Sequence, residues 1–278
     1  MSGAALMTFV EAAIQAAFTG GSAILKVYAG PFAVELKADH SPLTLADRNA
    51  HIAIERSLSH TGLPVLSEEG APVPMSDRQG WERYWLVDPL DGTKEFVKRN
   101  GEFTVNIALM QRDDGPSGPL GSAGPIAGVI YAPVMDLLYF AWQGGGAYRL
   151  QGAATHSGIA AYERVAMSTR LPAAEPRAAY TVLVSRSHRS PETDAFMHHA
   201  EQEHGALAFS FMGSALKFGL MAEGAADAYP RYAPTMEWDT AAGQIICTEA
   251  GKQLIDVTTN APMRYNKSEL VNNWFIVQ

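Results

Sequence analysis

Two aspartates, Asp88 and Asp91, stand three positions apart at the end of an apolar run, in Trp85-Leu86-Val87-Asp88-Pro89-Leu90-Asp91-Gly92-Thr93. The run predicts the end of a buried strand, and the proline and glycine predict a tight turn that receives both aspartates. Carboxylates are costly to desolvate, so two of them at the rim of a buried strand need a partner of opposite charge. Mg²⁺ or Mn²⁺ is the natural candidate, because hard cations bind oxygen ligands. A solvated turn with a helix-capping aspartate is the alternative for this segment alone.

Two further acidic segments repeat this design elsewhere in the chain. Residues 64–70 form a short apolar run that is followed by Glu68, Glu69 and a glycine. Downstream, Asp239 stands just before a run of small residues that predicts a helix, and Gly251 fits the position that ends it. Each segment is common when it is taken singly. Three of them at the ends of strands or helices predict a carboxylate-built metal site, at which Mg²⁺ also keeps water and substrate phosphates as ligands.

Three blocks of this sequence resemble the signatures of the inositol monophosphatase superfamily. They are Leu66-Ser67-Glu68-Glu69, Asp88-Pro89-Leu90-Asp91-Gly92-Thr93 and Trp238-Asp239-Thr240-Ala241-Ala242-Gly243. Within the superfamily, residues 84–110, 129–134, 185–188 and 213–218 are similar to the branch of 3′(2′),5′-bisphosphate nucleotidases of the CysQ type. The likeness extends from the region of Lys37 to the C-terminus. It implies a lithium-sensitive phosphomonoesterase that depends on two or three Mg²⁺ ions, for which Mn²⁺ can substitute.

The resemblance also implies which residues hold these ions. One ion is held by Glu68, Asp88 and the backbone carbonyl of Leu90. A second is held by Asp88, Asp91 and Asp239, so that Asp88 bridges the pair. In two-metal sites the ions lie about 3.5–4 Å apart and clamp the attacking and leaving oxygens of an in-line displacement.

The implied catalytic set consists of Asp47, Thr93 and Glu68. Thr93, backed by Asp47, orients the attacking water and takes up its proton. The backbone amides of Gly92 and Thr93 can cradle the phosphate at the start of a helical turn. Lys37 resembles a family lysine near the metal ions, and a solvated surface lysine is the alternative.

Substrate contacts are implied on the other side of the cleft. In the nucleotidase branch, the residues that match Ser185, His188, Gly213 and Lys217 line the nucleotide, beside Gly92, Thr93 and Asp239 at the phosphate. A lysine is a point charge suited to a second phosphate, and a glycine permits a close approach of the backbone. The alternatives are a strand-end turn at residues 185–188 and ordinary helix capping by Ser214. The implied substrate is adenosine 3′,5′-bisphosphate, which gives AMP and phosphate, with the sulfated nucleotide as a second one, in sulfur assimilation.

The pattern of elements predicts a mixed α and β chain, and the resemblance implies the layered αβαβα sandwich of the sugar phosphatases. Helices are predicted over residues 9–27, 46–58, 193–204 and 214–222 and after Asp239. Strands are predicted over residues 65–66, 84–87, 104–110, 127–131, 137–142, 147–150, 180–184, 207–211, 226–229, 253–257 and 274–277. Thr44 with Asp47 three positions later is typical of a helix-capping motif, and a break or kink in the first helix would fall at Gly20 and Gly21. We expect two α/β domains, residues 1–155 with most metal ligands and residues 156–278 with Asp239 and the substrate side.

Composition limits the class of protein. The chain has 278 residues, 47% of them hydrophobic, so it can bury a sizeable core. Its net charge of −8 argues against a nucleic-acid surface. No eighteen consecutive apolar residues and no basic leader are present, so neither a transmembrane segment nor a signal peptide is expected. The single cysteine, Cys247, stands in an apolar run that predicts a buried structural thiol in a reducing compartment.

The sequence allows alternatives for the location, assembly and activity of the protein. We expect a cytoplasmic protein, for which a peripheral position on the cytoplasmic face of the inner membrane is an alternative. We expect it to act as a monomer or homodimer. An inositol monophosphatase or a sugar phosphatase related to fructose-1,6-bisphosphatase is the alternative enzyme. A catalytically silent scaffold is the alternative from another class, although an intact set of site residues argues against it. His198, His199 and His204 match no common zinc spacing and predict a solvated helix face. Residues 112–125 are rich in glycine, proline and serine and predict a surface hairpin loop.

Overall fold

The computed structural model of the chain describes residues 3–36, 42–113, 122–184 and 190–278. Its helices are α1 (Gly3–Tyr28), α2 (Leu45–Leu58), α3 (Met75–Arg78), α4 (Thr93–Val97), α5 (Ala161–Met167), α6 (Pro191–His204), α7 (Leu216–Glu223) and α8 (Glu237–Glu249). Short 3₁₀ helices cover Ser59–Thr61 and Ala153–His156. The strands are β1 (Val34–Leu36), β2 (Pro42–Thr44), β3 (Val65–Ser67), β4 (Arg83–Asp91), β5 (Thr104–Arg112), β6 (Ala123–Ala132), β7 (Leu137–Trp142), β8 (Gly146–Gln151), β9 (Thr169–Arg170), β10 (Thr181–Val184), β11 (Ala208–Phe211), β12 (Tyr229–Arg231), β13 (Leu254–Asp256), β14 (Ala261–Pro262) and β15 (Phe275–Val277).

A seven-stranded sheet in the order β3-β4-β5-β6-β7-β8-β9 forms the centre of the fold. Strands β3 and β4 are parallel, and the remaining neighbours are antiparallel. Because β3 and β4 run in the same direction, their carboxyl ends meet at one edge of the sheet. Ser67 pairs with Val87 there, and the Glu68 amide donates to the Val87 carbonyl at 3.1 Å. The topology thus brings together the first two acidic segments of the sequence.

Layers of helices alternate with layers of β-strands. Helices α1 and α2 cover one face of the central sheet, and α7 and α8 cover the other. Beyond α7 and α8 lie a four-stranded sheet, β12-β15-β13-β14, and the parallel pair β10 and β11. Helix α6 packs on β10 through Met197. This arrangement confirms the predicted αβαβα sandwich.

Helix α1 continues without interruption through Gly20 and Gly21, so the predicted break does not occur. Both glycines are buried and serve close packing instead. A Cβ on Gly20 would lie 2.7 Å from Ile54 of α2, and one on Gly21 would lie 2.7 Å from Tyr131 of β6. The glycines let α1 approach both α2 and the sheet. In the described ranges, α1 is also the one helix long and apolar enough to cross a membrane, but half of its apolar window is buried in the fold.

Other sequence predictions require correction. Strand β4 extends to Asp91 and is irregular between Asp88 and Asp91, so both aspartates belong to the strand and not to a turn after it. The strand predicted over residues 226–229 covers Tyr229–Arg231, because Ala228 makes only a single bridge to β10. Helices α3 and α5 and the short strands β1, β2, β9 and β14 were not predicted. They are too short for a periodic pattern to emerge.

Gly128 of β6 lies where α8 packs on the sheet, and we expect Gly128→Ala to destabilise the protein. The new Cβ would lie 2.8 Å from the Ala242 carbonyl oxygen and 2.6 Å from Ile245 Cγ2. Because the Ala242 neighbour is backbone, it cannot rotate away, and the overpacking should cost ~1–3 kcal/mol of unfolding free energy. Urea unfolding followed by circular dichroism measures this. Gly124→Ala in the same strand is the matched control, since a Cβ there meets nothing within 4 Å. Equal urea midpoints for the two variants would contradict the packing argument.

Candidate active site

The N-terminus of α2 forms one wall of the site. The Asp47 Oδ2 atom accepts from the backbone amide and from the hydroxyl of Thr44, each at 2.7 Å, which confirms the predicted capping motif. The other oxygen, Oδ1, accepts from the Thr93 hydroxyl at 3.2 Å. Burial raises the pKa of Asp47, although the Thr44 hydrogen bonds oppose the shift. The structure therefore joins Asp47 and Thr93, which are far apart in sequence.

The irregular end of β4 supplies the second wall. The Leu90 amide donates to Asp88 Oδ1 at 3.0 Å, which fixes the Asp88 side chain inside the strand. Asp91 Oδ2 accepts from Asn106 Nδ2 at 3.2 Å and from the Ala215 amide at 2.6 Å. Ala215 lies directly before α7, so Asp91 links the first half of the chain to the second.

The third wall is the N-terminus of α8. Asp239 is the third residue of this helix, and its Oδ2 accepts from the Met236 amide at 2.9 Å. This is the reverse bond of a capping box, in which a carboxylate in the first turn bonds the residue before the helix. The bond orients the Asp239 carboxylate. Met236 in turn bridges to Val271 of the following loop.

The acidic side chains of the three walls interact electrostatically. Burial, and then repulsion from Glu68 and Asp91, raises the pKa of Asp88 well above its ordinary value. Burial and repulsion from Asp91 do the same to Asp239. The pKa of Asp91 is raised by burial, although nearby Lys217 opposes the shift. These carboxylates are costly to keep ionised together without a cation.

The donor set fits a hard divalent cation. Asp88, Asp91 and Asp239 each have one oxygen anchored by N–H donors, and the second oxygen of each makes no hydrogen bond within the described part of the chain. In that same part of the chain, no group of three or more His, Cys, Asp or Glu side chains is arranged so that it could hold a metal ion, so the protein alone offers an incomplete ligand set. Such an open set suits Mg²⁺, which binds through a few carboxylates together with water and substrate phosphates. A cation here would also offset the repulsion among the carboxylates.

A pocket opens beside these carboxylates. Its lining includes Asp91, Gly92, Lys94, Glu95, Gly213, Ser214, Lys217, Tyr229, Arg231, Thr235, Asp239 and Thr240. Gly92 has φ +92°, which favours glycine, and a Cβ there would lie 3.2 Å from Ser214 Cβ. The two loops of the pocket therefore approach each other closely at this point.

Gly213 lines the pocket and also packs closely against the protein itself. Its amide donates to Glu102 Oε2 at 2.8 Å, and a Cβ would lie 2.8 Å from both the Glu102 carbonyl oxygen and Glu95 Cγ. The lack of a side chain at Gly213 thus permits close packing against Glu102 and Glu95. Ser214 does not cap α7, since no side-chain cap bond is present there. Its hydroxyl oxygen is buried, and it has no partner among the described residues.

Lys217 is buried, with 7% of its surface exposed. Its Nζ donates to the Ser214 carbonyl at 2.8 Å and to the Met212 carbonyl at 3.2 Å. An ammonium group has three donors, so one is left for a ligand in the pocket. Burial lowers the pKa of Lys217 to about 8, and Asp91 opposes the shift. The side chain is therefore mostly protonated at neutral pH.

Arg231 and Asn106 are among the polar residues near the site that the sequence did not predict. Arg231 is the last residue of β12 and lines the pocket. Its buried Nε has no partner among the described residues. Nothing in the local sequence marks it, since isolated arginines are common. Asn106 bonds Asp91 and is 1% exposed. A polar residue in the middle of apolar β5 was a usable signal, because buried amides need partners.

Several predicted features lie outside the described residues or away from the pocket. Lys37, Ser185 and His188 lie outside the described residues, as does most of the predicted loop over residues 112–125. The three histidines of α6 are exposed, as predicted for a solvated helix face. Cys247 is buried in α8 with its thiol against the Phe218 carbonyl, and burial raises its pKa.

Comparisons with known proteins identify the family of the chain. The model of the inositol monophosphatase family matches residues 5–275 of the chain. The 3′(2′),5′-bisphosphate nucleotidase CysQ of Escherichia coli (strain K12) is 42% identical over 259 residues, which cover 92% of this chain and 93% of that protein. The CysQ nucleotidase of Salmonella typhimurium is 41% identical over 251 residues, 89% of this chain and 90% of that one.

A solved structure of the same family also matches this chain over nearly its full length. The crystal structure of CysQ from Bacteroides thetaiotaomicron, described as a bacterial member of the inositol monophosphatase family, has a TM-score of 0.87 and 46% sequence identity. The match covers 98% of this chain and 97% of that one. Members of this family generally use Mg²⁺. The resemblance found in the three acidic blocks is confirmed, and the chain belongs to the inositol monophosphatase family.

Proposed function

We propose that this chain is a Mg²⁺-dependent 3′(2′),5′-bisphosphate nucleotidase that removes the 3′-phosphate of adenosine 3′,5′-bisphosphate, giving AMP and phosphate. One observation carries the proposal. A single pocket is lined by carboxylates, which include Asp91 and Asp239, and by cationic side chains, which include Lys217 and Arg231. The carboxylates suit a metal ion beside the phosphate that is cleaved, and the cations suit a phosphate that is retained. The names of the CysQ relatives support the same substrate class.

In this proposal Glu68, Asp88, Asp91, Asp239 and the Leu90 carbonyl hold two or three Mg²⁺ ions, or Mn²⁺ in their place. When bound, the ions supply the positive charge that activates water and stabilises the departing oxygen. Residues 1–155 thus provide most of the ligands, and residues 156–278 provide Asp239 and the substrate side.

The chain's own acid–base group in this proposal is the pair Thr93 and Asp47. The Thr93 hydroxyl, which donates to Asp47 Oδ1 at 3.2 Å, orients the attacking water. It takes a proton from this water while it gives its own proton to the Asp47 carboxylate. The raised pKa of Asp47 favours proton uptake. The amides of Gly92 and Thr93 hold the phosphate at the first turn of α4.

The substrate side of the proposal rests on unsatisfied donors. Lys217 has one N–H to spare, and the Ser214 hydroxyl and the Arg231 Nε are buried without partners among the described residues. Buried donors of this kind are costly unless a ligand accepts from them. A 5′-phosphate in this pocket, which the Ser214 and Arg231 side chains also line, would accept from the spare Lys217 donor. The sulfated nucleotide carries an anionic group at the same position, so it is a second substrate in this proposal.

A substrate panel tests the proposal. Phosphate release is measured from adenosine 3′,5′-bisphosphate, adenosine 3′-monophosphate, inositol 1-phosphate and fructose 1,6-bisphosphate, with Mg²⁺ and with EDTA. We expect the highest kcat/KM for the adenosine bisphosphate, and no release in EDTA. A preference for inositol or fructose phosphate would establish the sugar-phosphatase alternative. Absence of release from every substrate would establish the silent scaffold.

Arg231→Gln and Lys217→Met are expected to lower kcat/KM selectively for the bisphosphate substrate. Each removes a charge-assisted contact to the phosphate that is not cleaved, worth ~1.5–3 kcal/mol or roughly 10- to 150-fold in kcat/KM. Hydrolysis of adenosine 3′-monophosphate should change much less. Because Lys217 also holds the Met212 and Ser214 carbonyls, Arg231→Gln is the cleaner variant.

The control for this prediction is Lys26→Met. Lys26 is an exposed residue at the end of α1 and does not line the pocket, so its replacement changes the net charge alone. Equal losses on both substrates for Arg231→Gln would mean that Arg231 is structural or lies near the cleaved group, and the assignment of the second phosphate would be wrong.

A further inference from the structure

The loop between β14 and β15 is held against the N-terminus of α8 by buried polar side chains. Asn272, which is 5% exposed, donates from Nδ2 to the Met236 carbonyl at 2.7 Å and to Thr240 Oγ1 at 2.9 Å. The backbone amide of Asn272 also donates to the Thr235 carbonyl at 2.8 Å. A single asparagine therefore fixes residues on both sides of the first helical turn.

Glu237, the first residue of α8, anchors the same helix end by accepting hydrogen bonds from the loop. It is fully buried, at 0% exposed. Its Oε2 accepts from the Asn266 amide at 2.7 Å, and its Oε1 accepts from the Lys267 amide at 3.0 Å. The Lys267 ammonium group lies 2.7 Å from the same Oε1. The first residue of α8 is thus anchored to two consecutive backbone amides of the loop.

Arg78 completes this network from a separate segment. It is 2% exposed and donates to Asn266 Oδ1 at 2.6 Å and to the Lys267 carbonyl at 3.0 Å. Buried charges contribute little net stability, because desolvation offsets their attraction. What a satisfied buried network does supply is a unique arrangement of the groups that it joins. This one joins the 266–272 loop to the start of α8.

The network ends at Asp239. Asp239 Oδ2 accepts from the Met236 amide, while Asn272 bonds the Met236 carbonyl. The orientation of the peptide groups around Met236 therefore fixes the orientation of the Asp239 carboxylate. Thr235, Asp239 and Thr240 all line the pocket, so the residues that Asn272 bonds are those next to the predicted metal ligand.

We propose that Asn272 and Glu237 are positioning residues, which fix the direction in which Asp239 offers its carboxylate and so set the affinity for the divalent cation. This inference rests on the proposed metal-dependent function. Neither residue lines the pocket, so their effect on the ion passes through Asp239. Partners behind a metal ligand typically change metal affinity by about 10- to 100-fold when they are removed.

The test is a titration of the full-length protein with Mn²⁺, in which free Mn²⁺ is followed by electron paramagnetic resonance without substrate. For Asn272→Ala we expect a Mn²⁺ dissociation constant that is raised ~10- to 100-fold. The Mg²⁺ concentration for half-maximal activity should rise in parallel, whereas KM at saturating Mg²⁺ should change little. Glu237→Gln, which keeps the shape of the side chain, should show the same pattern and serves if Asn272→Ala does not fold.

Asn273→Ala is the matched control. Asn273 is the next residue, but its side-chain Nδ2 donates to Asp256 Oδ2 and not to α8, so Mn²⁺ affinity should stay at the parent value. Folded Asn272→Ala and Glu237→Gln with parental Mn²⁺ affinity would overturn the proposal, as would a parent protein that binds no Mn²⁺. A parent that binds Mn²⁺ but does not cleave nucleotides would overturn the proposed function alone, and the variants would still decide the positioning role.

Discussion

Asp91→Asn is expected to lower kcat/KM by at least ~10²-fold, which corresponds to about 2.7 kcal/mol of transition-state stabilisation. Asp91 Oδ2 already accepts from Asn106 and from the Ala215 amide. In the variant the amide oxygen must take over these bonds, which leaves the NH₂ group at the position of Oδ1. That position would then carry a donor and no charge, so it could not bind a cation. The fold should survive, because the hydrogen bonds to both neighbours are kept.

The control for this variant is Asp256→Asn. Asp256 is a buried aspartate that also accepts several N–H donors, from Thr258, Thr259 and Asn273, but it lies outside the pocket lining. Its replacement should affect stability and leave turnover near the parent value. Initial rates at saturating Mg²⁺, together with the midpoint of thermal unfolding, separate the two effects. Near-normal turnover of Asp91→Asn under these conditions would remove Asp91 from the metal site.

Thr93→Val is expected to lower kcat by ~10²- to 10⁴-fold, the range for loss of a positioned acid–base group. Valine has the same shape as threonine but lacks the hydroxyl that donates to Asp47 Oδ1. The variant should still bind substrate, since the carboxylates and the backbone of the α4 turn are unchanged. The loss should therefore appear in kcat, and KM should change little.

Thr93→Ser is the matched variant, because it keeps the hydroxyl and removes only a methyl group. We expect it to retain activity within a few-fold of the parent, whereas Asp47→Asn should fall with Thr93→Val. Steady-state kinetics of the three variants check the prediction. If Thr93→Val and Thr93→Ser lost activity equally, the hydroxyl would not be the group that matters, and the role of Asp47 would fall as well.

The parts of the site that could be predicted from sequence are those with local signals. Thr44 and Asp47 have the spacing of a capping motif, and the structure has that motif. Asp88, Asp91 and Asp239 stand at the ends of recognisable elements, so their convergence could be expected once the segments were compared with a family.

The remainder depends on tertiary packing that a sequence does not display. Whether Gly20 breaks a helix or lets it pack against Ile54 is decided by the neighbour and not by the glycine. Arg231 enters the pocket because β12 pairs with β15 at the far end of the chain, a contact that no local pattern encodes. Lys217 could be predicted as a cation near the substrate, but its bonds to the Ser214 and Met212 carbonyls follow only from the fold of the loop.

The central claim is that this chain cleaves the 3′-phosphate of an adenosine bisphosphate with the help of a divalent cation. The most direct measurement follows adenosine 3′,5′-bisphosphate by ³¹P nuclear magnetic resonance in the presence of the protein, first with EDTA and then after addition of excess Mg²⁺. We predict no change in EDTA, followed by loss of the 3′-phosphate signal and appearance of inorganic phosphate, with the 5′-phosphate of AMP retained. Hydrolysis in EDTA, loss of the 5′-phosphate first, or an unchanged spectrum after Mg²⁺ addition would contradict the claim.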